Sequence, residues 1–123
     1  MNCYMNGEDV AQGRDGQAGF RVNKKVSDIT KPLPVNAFVF VEEHENTIDD
    51  GHFGFSPVGD HWYNIPGLWH KGANFAFADG HVEFRKWRNG TTLALTGVGT
   101  SPYPDLAPNH EDVRYVGSIT ATR

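Results

Sequence analysis

The chain has a single cysteine, Cys3, so no internal disulfide can staple it. Alone and close to the start, Cys3 reads as incidental rather than catalytic. No apolar run approaches the ~20 residues that a membrane-spanning helix needs, and no secretory leader is visible. The expectation is a chain that is soluble and cytoplasmic if made as it stands. Positive charge is also scarce: 11 Lys and Arg stand against 15 Asp and Glu, a net charge of −4. That leaves no basic footprint for nucleic acid. Three familiar patterns are missing as well: the G-x-S-x-G elbow, H-E-x-x-H and EF-hand spacing. Their absence argues against a serine nucleophile, a helical zinc-protease site and a dedicated calcium loop.

What the chain does hold is aromatic. Hydrophobic content is only 38%, yet eight Phe, three Trp and four Tyr bring large apolar area per residue. Fourteen Gly and seven Pro predict many turns and little helix. A length of 123 residues suits one domain. Residues 1–19 are Gly-rich and polar and read as irregular, leaving 20–123 as the folded unit. One helical turn is expected around Lys25 to Ile29. Ala37 to Glu42 is apolar on both faces and reads as a central strand. His52 to Ser56 reads as a short strand, Pro57 to Gly72 as a long aromatic loop, and His110 to Val116 as a short helix or a last strand. The sum is a mainly β, α+β-family domain: a small antiparallel sheet with long loops.

The strongest local signal is Asp79-Gly80 between two alternating runs, which predicts a hairpin with a two-residue type I′ turn. In that register Phe75, Phe77, Val82 and Phe84 share an apolar face, and Ala76, Ala78, His81 and Glu83 share the other. The same stretch, His70 to Trp87, resembles the His-x(9)-Asp-Gly domain of prepilin-type processing-associated proteins, which are pseudopilin-like. A second similarity lies in Ala37-Phe-Val-Phe-Val-Glu-Glu-His44 followed by Thr47-Ile-Asp-Asp-Gly-His-Phe53. Asn64-Ile-Pro66 and Asp112-Val-Arg-Tyr-Val116 are partial matches, so roughly residues 20 to 120 are covered. The departures are specific: eight residues separate His70 from Asp79, Glu42 stands where Asp is usual, and Asp49 where Asn is usual. Family members begin with a cleavable leader and a long apolar helix that packs on the sheet. This chain resembles the C-terminal domain without them. The resemblance implies a pseudopilin-like globular head, an extracytoplasmic setting in the periplasm or at the cell surface, and self-association or other pseudopilins as partners.

Several chemistries remain open. Glu42, Glu43, Asp49, Asp50, Asp60 and Asp79 offer oxygen ligands for calcium, which accepts irregular loop cages. The set Glu43, Asp49, Asp50 and Asp79 is the expected site, and type II secretion pseudopilins carry a calcium in a C-terminal loop. The bland alternative is turn chemistry at both Asp-Gly pairs. His44, His52, His61, His70 and His81 make zinc a weaker option. His70 and Asp79 could activate a metal-bound water against a small ester or lactone, with Trp62, Tyr63 and Trp69 as a substrate wall and His61 nearby. The same three aromatics would also suit a carbohydrate- or peptide-binding surface. Glu43 beside His44 reads as a structural lock. The leading expectation is a calcium-binding, pseudopilin-like assembly domain, and the alternative is a small calcium-dependent hydrolase.

Overall fold

Phe75 and Phe77 lie two residues apart and so point to one side of a strand. Both are buried, and the fold is built around that side. The computed structural model describes residues 1–5, 19–56, 58, 61–99, 103–104 and 110–122. In chain order its strands are β1 (Phe38–Val41), β2 (His61–Trp62), β3 (Gly72–Phe77), β4 (Val82–Lys86) and β5 (Tyr103–Pro104). Its helices are α1 (Gly90–Leu93) and α2 (Glu111–Thr120), with short 3-10 turns between the elements. β1, β3 and β4 form an antiparallel sheet in the order β1-β3-β4, and β2 pairs with β5.

The buried side of the sheet is covered by α2. His110 caps that helix, its Nδ1 accepting from the Val113 N–H at 3.2 Å, and Glu111 and Asp112 suit the positive end of the helix dipole. Val113, Val116, Gly117 and Thr120 fall on one helical stripe and are buried. Val113, Val116 and Ile119 join Phe38, Phe53, Phe55, Trp62, Phe75 and Trp87 in the main core. The aromatic rings meet edge to face, Phe38 on Phe75 at 5.5 Å and Phe75 on Trp87 at 6.1 Å between centroids. The expected small antiparallel sheet is therefore present, but the domain is mixed rather than mainly β. The segment read as helix or last strand is a ten-residue helix, because its apolar residues recur at helical spacing.

Two other expectations change. Among the described residues β1 is an edge strand, not a central one. A register shift between Phe38 and Phe40 breaks the alternation, so Phe38 is buried while Phe40 is 56% exposed. Residues 1–5 form no helix or strand, but they are pinned to the sheet and to α2. Asn2 Nδ2 donates to the Phe38 and Thr120 carbonyls, and the Asn2 N–H donates to the Val39 carbonyl. Residues 6–18 lie outside the described residues. Phe53 and Phe55 make only isolated bridges, to Asn2 and Trp62, in place of a short strand. The helical turn expected near Lys25 is a 3-10 turn over Val26–Asp28.

The hairpin is the largest correction. Ala76 faces Val82, Phe75 faces Glu83 and Asn74 faces Phe84, one residue away from the type I′ register. The Gly80 N–H donates to the Phe77 carbonyl, and the Phe77 N–H donates to the His81 carbonyl. The loop thus holds three residues, Ala78, Asp79 and Gly80. Only Gly80 takes a left-handed conformation, at φ +95, which is a type I turn closed by a glycine bulge. A one-residue slip moves every side chain to the other face. Val82 and Phe84 accordingly lie outside, 64% and 52% exposed. Phe84 is seated over Gly72, where an added Cβ would come within 2.5 Å of the ring.

Candidate functional site

The expected acidic residues separate into two places. Glu43 follows β1 and bridges to Pro66. Its half-buried Oε1 accepts from Thr47 Oγ1 at 3.1 Å and from Asn64 Nδ2 at 2.8 Å. Asn64 Oδ1 accepts from the Gly54 N–H at 2.6 Å, and Thr47 Oγ1 accepts from the Ile65 N–H. These bonds clamp the 43–47 turn to the 64–66 segment. Burial pushes the Glu43 pKa up, the Thr47 and Asn64 bonds pull it back, and the Asp49 charge adds to the rise. The lock foreseen between Glu43 and His44 is therefore made with Thr47 and Asn64 instead. His44 Nδ1 accepts from the Asn46 N–H and caps its own turn. Asp49 and Asp50 are exposed, and Asp50 Oδ1 accepts from the His52 N–H at 2.6 Å as a turn residue does.

Asp79 lies elsewhere, at the hairpin tip. Phe38 faces Phe77 beside that tip, and Glu43 is five residues further along the chain. At ~3.3 Å per residue the two carboxylates are separated by on the order of 15 Å. Asp79 Oδ1 accepts from the His81 N–H and lies against His81 Nδ1, and His81 Nε2 is 3.3 Å from Glu83 Oε1. The His81 ring stacks flat on Phe77 at 4.4 Å. The side-chain bond with His81 lowers the Asp79 pKa, and the same bond raises that of His81. Among the described residues no three His, Cys, Asp or Glu side chains are grouped to hold a metal ion. Asp60 lies outside them.

The residues proposed for hydrolysis and substrate contact are also dispersed. His70 precedes β3 and Asp79 follows it, so the six residues of Gly72–Phe77 separate them. His70 and Lys71 hold left-handed backbone, φ 56 and φ 61, uncommon for residues with side chains. Trp69, just before them, is 77% exposed. Trp62 is 1% exposed, a core residue packed edge-on against Phe55 and Trp87, so it offers no binding surface. Tyr63 is half-buried with its ring against His61. The wall expected from Trp62, Tyr63 and Trp69 is thus divided between core and surface.

In one polar cluster the sequence had marked only Asp112, as part of a partial match. Buried Asp112 accepts from the Arg88 and Asn89 N–H groups and from Thr92 Oγ1, and the Asp112 N–H donates back to Asn89 Oδ1. These bonds tie the start of α2 to the turn after β4. Its members come from separate segments, so spacing along the chain could not announce them. No family model, no curated protein and no solved structure matches this chain.

Proposed function

We propose that this chain is a non-catalytic assembly domain of the pseudopilin-like kind. The observation that supports it is the asymmetry of the sheet. One face is closed by α2, while the other presents Phe40, Val82 and Phe84, each more than half exposed. Glu43, His44, Asp50 and Asp79 hold turns and caps in separate places. In a pseudopilin-like arrangement the open apolar face is the one on which a long apolar helix would rest. No helix among the described residues is long and apolar enough to cross a membrane.

The test supplies such a helix. Joined ahead of residue 1, an apolar prepilin-type helix is expected to drive filament formation visible by electron microscopy. Phe40→Ser, on the open face and away from β4, is expected to reduce it. A fusion that stays dispersed removes the reading. Calcium is a separate arm of the proposal. Asp49 and Asp50 remain exposed beside Glu43, and a weak contact there should raise the Tm only at roughly millimolar calcium, as for weak extracellular sites. Asp50→Asn should blunt the rise. No rise at all would remove the metal and leave the assembly reading standing.

A further inference from the structure

We infer that β4 is a self-complementary edge, through which two copies of this chain pair antiparallel into one continuous six-stranded sheet. The inference stands on β4 alone and does not depend on the pseudopilin-like reading. Among the described residues β4 has one neighbouring strand, β3. The Phe77 N–H donates to the His81 carbonyl and the Trp87 N–H to the Lys71 carbonyl. With the register of the pair, His81, Glu83, Arg85 and Trp87 direct their backbone groups toward β3. The N–H and C=O groups of Val82, Phe84 and Lys86 therefore point away, to the open edge. A groove of about 480 Å³ runs along that side, lined by Phe84, Arg85, Lys86, Trp87 and Arg88.

Among the registers that overlap β4 most fully, charge selects one, and the match is to a second copy. A second β4 can bond this edge only if even-numbered residues face even-numbered ones. A two-fold axis at Glu83 would set Glu83 against its own copy, and an axis at Arg85 would set Arg85 against its own copy. Like charges directly opposite are unfavourable. An axis at Phe84 instead places Glu83 opposite the second copy's Arg85, twice over. These are non-hydrogen-bonded pairs, whose side chains come closest. Phe84 then meets its own copy, and Val82 faces Lys86 without a charge conflict. Arg85 lies on the same face of β4 as Glu83, its guanidinium 4.2 Å over the Tyr115 ring and 3.9 Å from Asp112. The pairing satisfies the open backbone groups of β4 and sets Phe84 beside its own copy, which shields part of the open face.

Sedimentation equilibrium and amide exchange by NMR on the full chain test this together. A concentration-dependent dimer is expected, in which the amides of Val82, Phe84 and Lys86 gain protection, while those of Glu83 and Arg85 are protected in monomer and dimer alike. Glu83→Lys should weaken dimerisation about tenfold or more, since two opposite-charge contacts become like-charge ones, with an unchanged circular dichroism spectrum. Val82→Pro removes only an outward N–H and should leave a monomer. If that variant does not fold, Glu83→Lys and the exchange pattern decide alone. A chain still monomeric at millimolar concentration overturns the inference. So does a dimer in which those three amides exchange as in the monomer, or one indifferent to Glu83→Lys.

Discussion

His81 is held between two carboxylates, Asp79 and Glu83, at the exposed tip of the hairpin. Its raised pKa means that its contribution to stability is present below the unfolded value of 6.5 and is lost as pH rises through the folded one. Asp79 runs the other way. Its lowered pKa gives a contribution present above 3.8 and lost as pH falls through the folded value. The pair is therefore intact only between those two folded values. An NMR titration should find His81 with a midpoint above 6.5, and Asp79→Asn should bring it down. A midpoint unmoved by Asp79→Asn would show that the contact does not persist in solution. Glu43 has the opposite character for a carboxylate. Burial raises its pKa, so its contribution is greatest below the ordinary value of 4.5 and declines as pH rises through the folded value. Glu43→Gln keeps an oxygen for Thr47 and Asn64 and abolishes that decline. Thermal melts of this variant should match or exceed the native chain at pH 7 and lose the fall between pH 4.5 and pH 7. Greater destabilisation at pH 7 than at pH 4 would contradict this account of Glu43.

At the scale of elements, the hairpin rests on two glycines with different duties. Gly80 supplies positive φ at the bulge. Gly72 supplies room, since a Cβ there would meet the Arg85 carbonyl at 2.3 Å and the Phe84 ring at 2.5 Å. The Arg85 carbonyl is backbone and cannot swing aside. Gly72→Ala is therefore expected to cost about 1–3 kcal/mol, as overpacking does, read as a lower midpoint in denaturant unfolding. A loss under ~0.5 kcal/mol would mean that the sheet relaxes freely at this point. The existence of the hairpin and the position of its turn were legible in Asp79-Gly80. Its register was not. A type I′ turn and a type I turn with a bulge both want glycine at Gly80, and they differ by one residue in pairing. The observed register places Phe84 over Gly72 and brings Arg85 to Tyr115 and Asp112. None of those contacts is local to the turn.

For the whole molecule, the two sides of the sheet should respond unequally to mutation. Phe75 is buried against Phe38, Trp87 and Tyr115, so Phe75→Ala is expected to cost about 3–5 kcal/mol. Phe40→Ser on the open face should fall within ~0.5 kcal/mol of the native chain. Chemical denaturation of dilute protein checks both, and comparable losses would mean that the open face is covered within the chain itself. Read from the sequence alone, the chain's composition already pointed to an aromatic core in one small domain rich in turns. Gly80 and the alternation around it likewise marked the strands β3 and β4, because those signals are local. Tertiary structure decided that β1 lies at an edge, that Trp62 is core rather than binding surface, and that Glu43 and Asp79 stand at opposite ends of the sheet. It also decided which face of β4 is open. Each of these depends on residues distant in the chain: Asn2 against Phe38, Asn64 against Glu43, Asp112 against Arg88. A one-residue change of register, stabilised by such contacts, exchanges inside for outside along a whole strand, and no local pattern distinguishes the two outcomes.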